Sequence, residues 1–558
     1  MKSFLKILNF LLICAIFSCS KSMNARLTGD YKGKPLLNAK KTQLVNNQNS
    51  SSTTNDDNSS TGNDSSSTDN TDEPSSDVVD PSTDDWFNSS PFDGVSGIGV
   101  DNAIELLGAP SREVIVAVID SGVDVNHEDL KGKIWINEDE VPGDGIDNDK
   151  NGYIDDIVGW NFLGVKNGNA TFNLSSVQDA LLMTRGEDKF QINAENFEVA
   201  REMARLRDQV EIHGKQLSES DQLYYKKLGL YKKAELASLN EYIVKYRCET
   251  DNPSKSCPAV YAYIKNQKEQ YLNEKFINPL RVEVNKEKEV FGNGYGNNDV
   301  QGPDASHGTH VAGIIAASRD NGIGIDGVAS NVKIMSLRAV PDGDEYDEDV
   351  ANSIKYAVDN GASVINMSFG KAFSANEGLV HKAIRYAQKK GVLLVHAAGN
   401  DGKEIDQTNN FPNKKLLLKK ANNYLSVGAS TKAVDYVQRT LADGETISGL
   451  VANFSNYSYE YVDIFAPGFN IGSTTPWNTY DAYSGTSMAA PVAAGAAAFL
   501  MSHFPELNAK DTKKVLMETS RQYNGLQIIN PVEELFSKLS QSGGIVDLES
   551  AVEHLLNK

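Results

Sequence analysis

The chain has 558 residues and a formal net charge of −21, with 54 Lys and Arg against 75 Asp and Glu. A nucleic-acid-binding protein needs a basic surface to neutralise phosphates, so this acidic balance argues against that class. Hydrophobic residues make up 40% of the chain, which excludes wholesale disorder. Four cysteines in a chain of this length exclude a disulfide scaffold.

The first 19 residues have the form of an export signal. Two lysines precede an apolar stretch, residues 7–17, that is too short to span a membrane. Residues 16–19 resemble a bacterial lipoprotein box, in which cleavage exposes Cys19 for acylation, although Phe17 is larger than the residue usual there. We therefore predict an exported lipoprotein at the cell surface or in the periplasm, with the lipid as its only membrane contact. An ordinary secretory signal is the alternative.

Residues 20–90 are predicted to form a disordered acidic tether. The segment from Asn46 to Ser90 is mostly Ser, Thr, Asn and Asp, and residues 51–90 hold ten acidic residues and no basic one. Such a stretch buries too little apolar surface to offset its conformational entropy. The tether would join the lipid to a folded domain, and cutting it would release a secreted protein. A disordered pro-segment that is simply removed is the alternative.

Residues 113–120 form a continuous apolar run rich in β-branched residues. This pattern is typical of a strand that is buried on both faces in a parallel sheet. The run ends in Asp120, beside the glycine-containing turn of residues 121–124, and sites form at this edge of open α/β sheets. By itself, such an aspartate is equally well explained as a turn cap.

Two later segments combine small residues with helical apolar spacing. In residues 306–317, His307 begins the predicted helix and is assigned as a general base, whereas His310 is equally well explained as a packed structural residue. In residues 483–500, a loop enters a small-residue helix with Ser487 at its start. A helix N-terminus offers free N–H groups and a partial positive charge, which suit a nucleophile that passes through an oxyanion intermediate.

Together these segments resemble the subtilisin-like serine proteases, the subtilases. They read VAVIDSGVD around Asp120, HGTHVAGIIAA around His307 and GTSMAAPVAAG around Ser487. The order Asp, His, Ser is the subtilisin order, whereas other folds build this triad in other orders. The resemblance implies an α/β fold of three layers, in which helices flank a mostly parallel central sheet.

The resemblance also implies roles for two further segments. Residues 391–400 are similar to the oxyanion segment, so the Asn400 amide and the Ser487 N–H would hold the oxyanion; a turn at a strand end is the alternative for Asn400. Residues 364–370 are similar to the edge segment that pairs with the substrate backbone, with a core strand as the alternative. The predicted substrate-binding residues are Ser368, Phe369, Gly370, Ala397, Ala398 and Gly399.

The implied reaction is hydrolysis of peptide bonds by a serine endopeptidase. His307 takes the proton of Ser487 and returns it to the leaving amine, while Asp120 fixes the imidazole tautomer and an acyl-enzyme forms. The partners are protein or peptide substrates, and we expect a monomer. Two alternatives are a catalytically silent binding or adhesive protein on the same scaffold and a dedicated processing protease with one natural substrate.

An acidic stretch contains the pattern D-x-D-x-N-G-x-x-D-D, which places oxygen ligands around a glycine turn as Ca²⁺ prefers. Val158 stands where an EF-hand has Glu, so we predict a subtilase calcium loop instead. A solvated acidic turn is the alternative, but clustered carboxylates without a cation repel one another. Asp129 matches a position that ligates calcium in many subtilases. The predicted ligands of a structural Ca²⁺ are Asp147, Asp149, Asn151, Tyr153, Asp155, Asp156 and Asp129.

An insertion separates the predicted catalytic Asp and His, which most relatives place a few dozen residues apart. Its centre is rich in Glu, Lys, Leu and Ala with helical spacing, which predicts a mainly α-helical segment near the cleft rim. Restricting substrates, binding a partner and plain decoration all fit this segment. Cys248 and Cys257 either close a small disulfide loop or remain free thiols. The predicted domains are the signal (1–19), the tether (20–90), the catalytic domain (91–164 and 301–558) and the insertion (165–300).

Overall fold

A computed structural model describes residues 84–163 and 295–558, with short gaps at 342–343, 372–373, 375, 408–409, 417–418, 434–438, 441–445, 448, 524 and 529–530. All of these residues belong to one structural unit. The predicted lipidation site Cys19, most of the tether, and most of the insertion with Cys248 and Cys257 lie outside the described residues. No helix within the described ranges combines the length and the apolar character needed to cross a bilayer.

Within the described residues, nine strands form a central sheet in the order β14-β17-β11-β8-β5-β4-β1-β3-β2, and eight further strands form four two-stranded sheets. Neighbouring strands of the central sheet run parallel, except that β14 is antiparallel to β17. The strands are β1 Val114–Asp120, β2 Gly159–Asn161, β3 Val332–Arg338, β4 Val364–Met367, β5 Leu393–Ala397, β6 Lys415–Leu416, β7 Lys419–Lys420, β8 Tyr424–Ser430, β9 Arg439–Thr440, β10 Thr446–Ile447, β11 Ile464–Pro467, β12 Ile471–Thr475, β13 Thr479–Tyr483, β14 Arg521–Gln522, β15 Gln527–Ile528, β16 Glu534–Leu535 and β17 Gly544–Ile545.

Helices cover both faces of this sheet. They are α1 Val100–Glu105, α2 Ser306–Ala316, α3 Asp347–Asp359, α4 Glu377–Lys390, α5 Thr486–His503, α6 Ala509–Glu518 and α7 Leu548–Leu556. Alternate residues of β1 explain the layering. Val116 and Val118 pack in the core that contains α2 and α5, whereas Ala117 and Ile119 pack in the core that contains α3 and α4. Both faces of the strand are therefore buried, which accounts for its unbroken apolar run. The arrangement of helices on both faces of the sheet confirms the predicted three-layer α/β fold.

The sheet gathers the predicted site residues at one edge. Because β5, β4 and β1 are parallel neighbours, their carboxyl ends lie side by side. Asp120 ends β1, Ser368 follows β4 and Asn400 follows β5. His307 and Ser487 are the second residues of α2 and α5, two helices that pack against each other on the same face.

The predicted tether ends too late in the sequence. Trp86 and Phe87 are 3% and 0% exposed and lie in the main core. The indole N–H of Trp86 donates to the carbonyl of Asn470 at 3.2 Å, and Nδ2 of Asn88 donates to the carbonyl of Asp326 at 2.6 Å. Residues 84–90 therefore belong to the folded domain, because an aromatic pair there buries enough apolar surface to anchor a segment that is otherwise polar.

The predicted insertion also ends too late. The indole N–H of Trp160 donates to the carbonyl of Tyr295 at 2.7 Å, and Asn297 pairs with Asn161 through backbone hydrogen bonds of 2.8 and 3.2 Å. The ring of Tyr295 is 4% exposed and packs in the core of α3 and α4. Residues 295–300 therefore form part of the domain, and the break in the described chain falls between residues 163 and 295.

Candidate active site

The carboxylate of Asp120 contacts the imidazole of His307. Nδ1 of His307 lies 2.8 Å from Oδ1 of Asp120, although 187 residues separate the two along the chain. This approach depends on Gly308, where a Cβ would lie 2.1 Å from the carbonyl oxygen of Gly122 and 3.0 Å from Cβ of Asp120. A side chain at this position would push the start of α2 away from the end of β1 and separate the pair.

The environment of this pair favours a basic imidazole. Asp120 is 2% exposed and His307 is 39% exposed, so the carboxylate is shielded while the ring can be reached from solvent. Oδ1 of Asp120 also accepts a hydrogen bond from the N–H of Ser121 at 2.8 Å, which fixes the carboxylate. Burial opposes protonation of His307, but the charge of Asp120 and the hydrogen bond to it raise the pKa of the ring above its usual value.

The second histidine of the motif, His310, is a packed residue. It is 0% exposed, and its Nε2 lies 3.0 Å from the carbonyl oxygen of Ile471 and 3.1 Å from that of Asp481. Its ring stacks on Tyr483 with the centroids 4.3 Å apart. Burial, helped by the neighbouring His307, lowers the pKa of His310 to about 3. The ring is therefore neutral at physiological pH and holds α2 against the β12–β13 hairpin.

Ser487 is joined to the end of β4 by two hydrogen bonds. Its hydroxyl donates to the backbone carbonyl of Ser368 at 3.1 Å, and the hydroxyl of Ser368 donates to the backbone carbonyl of Ser487 at 2.8 Å. The second bond depends on Pro491 in α5, which has no N–H to donate to the carbonyl of Ser487 four residues earlier. That carbonyl is thus left to Ser368, and the bond anchors the start of α5 to the sheet edge.

Two hydrogen-bond donors border one small space beside Ser487. A Cβ placed on Gly485 would lie 3.4 Å from Nδ2 of Asn400 and 3.6 Å from the backbone nitrogen of Ser487. Oδ1 of Asn400 accepts from the N–H and the hydroxyl of Thr486, at 2.8 and 2.9 Å, and this fixes the orientation of the amide. Two fixed donors next to a serine at a helix start can hold a developing oxyanion.

A profile of the Subtilase family matches residues 111–530 of this chain. The chain belongs to the subtilase family. It is 36% identical over 258 residues to the thermophilic serine proteinase of Bacillus sp. (strain AK1), an alignment that covers 46% of this chain and 53% of that protein. It is 35% identical over 231 residues to Subtilisin DY of Bacillus licheniformis, which covers 40% of this chain and 75% of that protein.

Other relatives match over smaller shares of their length. The cell wall-associated protease of Bacillus subtilis (strain 168) is 36% identical over 242 residues, covering 43% of this chain and 24% of that protein. The chain thus spans about half the length of the Bacillus sp. (strain AK1) proteinase and about a quarter of the length of the cell wall-associated protease. Among solved structures, a protease of Pseudoalteromonas arctica PAMC 21717 superposes with a TM-score of 0.44 at 20% identity, covering 85% of this chain and 98% of that chain.

In this subtilase, Asn456 supports the segment that carries Asn400. Its Nδ2 donates to the carbonyl of Ala398 at 2.9 Å, and its Oδ1 accepts from the N–H of Asp401 at 3.1 Å. Gly399 lies between them with a φ of +96°, and a Cβ there would lie 2.5 Å from Nδ2 of Asn456. The backbone turn therefore requires glycine. Sequence reasoning missed Asn456, because it approaches this turn from a separate part of the chain.

The six predicted substrate-binding residues lie at the same edge of the sheet but differ in burial. Four of them are buried: Ser368, Phe369, Ala397 and Ala398. Because their side chains pack into the protein, these four can offer a substrate only their backbone groups, which suits pairing with an added strand. Gly370 is exposed and Gly399 is half-buried, so the surface of this region is formed by two residues without side chains.

Three carboxylates of the acidic region lie close enough to share a cation. Oxygens of Glu140, Asp147 and Asp149 all lie within 4.8 Å of one another. Glu140 is 5% exposed, and its Oε1 accepts from the N–H groups of Asn148 and Asp149 at 2.7 and 3.1 Å. Sequence reasoning missed Glu140, because it precedes the acidic pattern and reaches it only when the loop folds back.

The remaining polar residues of the loop hold its shape. Asp155 accepts from the N–H groups of Gly143 and Gly145 at 2.7 and 3.1 Å. Nδ2 of Asn151 donates to Asp149 and Asp156 at 2.9 Å each. Asp156 is 0% exposed, and burial raises its pKa to about 6. The carboxylates of Asp155 and Asp156 therefore lie outside the set of three formed by Glu140, Asp147 and Asp149. They stabilise the loop through these hydrogen bonds.

Two other predicted calcium ligands, Tyr153 and Asp129, make different contacts. The ring of Tyr153 packs edge-on against Tyr356, with the centroids 4.8 Å apart. Asp129 is 0% exposed and accepts from Nδ2 of Asn321 at 2.7 Å and from the N–H of Ile325 at 3.2 Å. Burial raises the pKa of Asp129, and its carboxylate is not part of the Glu140 group.

Proposed function

We propose that this subtilase is a serine endopeptidase that hydrolyses protein or peptide substrates through Asp120, His307 and Ser487. The observation that carries the proposal is the 2.8 Å contact between His307 and Asp120, at the sheet edge where Ser487 lies in the first turn of α5. Family membership supports the same reaction. We expect a serine-reactive fluorophosphonate probe to label the folded protein at Ser487. A folded protein that resists the probe would favour a silent binding protein on this scaffold.

In the proposed mechanism, the hydroxyl of Ser487 turns from the carbonyl of Ser368 towards His307. Nε2 of His307 takes the proton as Oγ attacks the substrate carbonyl carbon, while Nδ1–H stays bonded to Asp120 and keeps the ring in the required tautomer. Nε2 then gives the proton to the leaving amine, and the acyl group remains on Ser487. Water then attacks the acyl group, while Nε2 of His307 takes a proton from the water and gives it to Oγ of Ser487. This releases the acid product and restores the enzyme.

The proposed oxyanion site consists of Nδ2 of Asn400 and the N–H of Ser487. We expect Asn400→Ala to lower kcat by about 10²–10³ with little change in KM, because this donor acts mainly on charge that develops in the transition state. Steady-state hydrolysis of a chromogenic peptide measures both constants. Asn557→Ala, an exposed substitution after α7, is the matched control. A kcat within about threefold of wild type in Asn400→Ala would show that this donor is not used.

We propose that Glu140, Asp147 and Asp149 hold a structural Ca²⁺, with Asn151 and the carbonyl of Tyr153 as further oxygen donors. The donor set consists of hard oxygens, which Ca²⁺ prefers, and the three carboxylates lie close enough to repel one another without a cation. A bound ion would hold the loop closed and offset part of the acidic charge. Asp129 is proposed as a ligand of a separate ion, which the family resemblance implies.

Removal of calcium should lower the thermal stability of the protein. At about 100 times its Kd, an ion that binds only the folded state stabilises that state by about 2.7 kcal/mol. We therefore expect EDTA to lower Tm and added Ca²⁺ to restore it, with a smaller difference in Asp149→Ala. Glu138→Gln removes an exposed charge beside this group and should behave as wild type. Equal Tm values of the wild type in EDTA and in Ca²⁺ would contradict a structural ion.

We further propose that the protein is exported and anchored through lipidated Cys19, and that it acts as a monomer. Relatives named as a cell wall-associated protease and as a halolysin-like extracellular serine protease support export. The tether would then end before residue 84 and the insertion before residue 295.

A further inference from the structure

We propose that Arg338 is a positioning residue, which holds Asp120 and His307 at bonding distance. Its guanidinium joins the two chain segments that carry this pair, the turn after β1 and the loop before α2. The inference rests on the peptidase function proposed above. It adds to that function a residue that lies outside the three family motifs and acts only through these two segments.

Arg338 occupies an unusual place for a charged residue. It ends β3 directly beside Asp120, which ends the neighbouring parallel strand β1. Its side chain is 0% exposed and is the largest fully buried side chain among the described residues. Val332 and Ile334 of the same strand face the core that contains α2, and Arg338 continues this alternation. Apolar residues often replace a buried ion pair without loss of stability, so packing alone does not account for an arginine.

The guanidinium holds the turn that follows Asp120. Nε–H of Arg338 donates to the carbonyl oxygen of Ser121 at 3.1 Å. The N–H of the same Ser121 donates to Oδ1 of Asp120 at 2.8 Å. Ser121 is thus fixed at its carbonyl by Arg338, and its N–H in turn orients the carboxylate that contacts His307.

The same guanidinium holds the loop that leads into α2. Nη1 of Arg338 lies 3.5 Å from Oδ2 of Asp299, and Oδ1 of Asp299 accepts from the N–H of Gly302 at 3.0 Å. Gly302 has a φ of +64°, and a Cβ there would lie 2.2 Å from Cζ of Arg338. The loop therefore closes directly over the guanidinium, with no room for a side chain between them.

A further pair of hydrogen bonds ties the two segments to each other. The hydroxyl of Ser121 donates to the backbone carbonyl of Asp304 at 2.9 Å. The carboxylate of Asp304 accepts from the hydroxyl of Ser306, the first residue of α2, at 2.8 Å. The turn after β1 and the start of α2 therefore form one hydrogen-bonded unit, and Arg338 holds this unit from the buried side.

The two carboxylates that raise the pKa of His307 belong to these two segments. Burial opposes protonation of the ring, but the charge of Asp120 and the hydrogen bond to it, helped by the charge of Asp304, raise the pKa above its usual value. The neighbouring His310 is neutral at physiological pH. Without Arg338, both carboxylates are free to move away from the ring, and the pKa of His307 should fall.

The test is Arg338→Met, which removes the guanidinium and keeps an unbranched side chain. We expect kcat to fall by about 10–10²-fold at a temperature where the variant is folded. KM should stay within about threefold of wild type, because the predicted substrate-binding residues follow β4 and β5 and not β3. The acid limb of kcat/KM should move to lower pH. Loss of a positive charge alone would move it to higher pH, so the direction identifies a loss of positioning.

The pKa of His307 can also be measured without turnover. Proton NMR titration in Ser487→Ala avoids self-digestion, and the signal of His307 is identified by its absence when His307→Ala is added. Arg338→Met in this background should lower the pKa. Arg338→Lys keeps the charge but not the planar fork that reaches both segments, so its pKa and kcat should lie between those of Arg338→Met and wild type.

The matched control is Lys414→Met, which removes another buried cation. Nζ of Lys414 lies 2.8 Å from Oδ1 of Asp463, and the two side chains are 3% and 0% exposed. Asp463 precedes β11, so this pair lies at the end of the parallel sheet opposite to the site. Lys414→Met should lower Tm but keep the wild-type kcat and acid limb, which separates positioning from a general loss of stability.

If Arg338→Met does not fold, Asp299→Ala provides the test at a side chain that is 30% exposed. It should change kcat and the acid limb in the same direction, by a smaller amount. The proposal is overturned if the folded variants at 338 and 299 keep the wild-type kcat and acid limb, whatever their Tm. A wild type that cleaves no peptide and resists the fluorophosphonate probe would refute the peptidase assignment instead. The NMR titration would still decide whether Arg338 positions the pair.

Discussion

Ser487→Ala is expected to abolish peptide hydrolysis and leave the fold intact. Without the nucleophile, kcat should fall roughly 10⁶-fold, the scale for loss of the serine from an interdependent triad. The substitution also removes the 3.1 Å hydrogen bond to the carbonyl of Ser368. One neutral hydrogen bond contributes about 1 kcal/mol, so Tm should change by no more than a few degrees. Hydrolysis of casein and of a chromogenic peptide, together with thermal unfolding, measures both effects.

The matched control for this variant is Ser330→Ala. Ser330 is exposed and precedes β3, so it lies at the end of the parallel sheet opposite to the site. We expect its activity and Tm to equal those of wild type. If folded Ser487→Ala keeps more than about a thousandth of the wild-type rate, the nucleophile has been assigned to the wrong residue.

Asp120→Asn should lower kcat by about 10⁴ without unfolding the protein. Nδ1 of His307 and the N–H of Ser121 both lie 2.8 Å from Oδ1 of Asp120, so one terminal atom of the side chain meets both groups. An asparagine NH₂ group in that position would donate to Nδ1 of His307, which forces the ring proton onto Nε2. In that tautomer, Nε2 cannot accept the proton of Ser487.

The pH profile distinguishes this loss from a general structural defect. Asp120 raises the pKa of His307 above its usual 6.5 despite burial. Because the base must be neutral, wild-type kcat/KM should fall as the pH drops through that raised pKa. In Asp120→Asn, the residual kcat/KM should fall at a lower pH than in the wild type, because the charge that raises the pKa of His307 is gone. The same pair stabilises the folded state below pH 6.5, and that contribution is lost as the pH rises through the raised pKa.

The control for the aspartate variant is Asp359→Asn, at the exposed C-terminal end of α3. It removes the same charge far from the sheet edge and should leave rate and pH profile unchanged. An Asp120→Asn variant with wild-type kcat would mean that His307 is oriented by another group, and the proposed role of Asp120 would be abandoned.

Much of the fold was predictable because the relevant signals are local. The β-branched run of residues 113–120 indicated a strand that is buried on both faces, and the strand Val114–Asp120 lies inside the mostly parallel sheet, between β4 and β3. A small-residue helix was predicted at Ser487, and α5 packs on the central strands β1, β3, β4, β5, β8 and β11. Each pattern reflects the environment of its own residues, so it can be recognised before any partner is known.

The boundaries of the folded domain were less predictable, because the composition of a segment is an average over all of its residues. Residues 20–90 are polar as a whole, and this average concealed Trp86 and Phe87, which bind the end of the segment to the core. Tyr295 likewise sits after a long charged stretch and yet packs in the core of α3 and α4. One or two aromatic residues decide where a domain begins, since each can bury a large apolar area, whereas an average over many residues is insensitive to them.

The family, the three-layer α/β fold and the residues proposed for the chemistry are all apparent in the amino-acid sequence, because motif identity and apolar periodicity are properties of short segments. The residues that support them become apparent only in the folded chain. Glu140 lies beside Asp147 and Asp149, and Asn456 supports the Gly399 turn. These contacts depend on distances of a few ångströms that local sequence patterns do not encode.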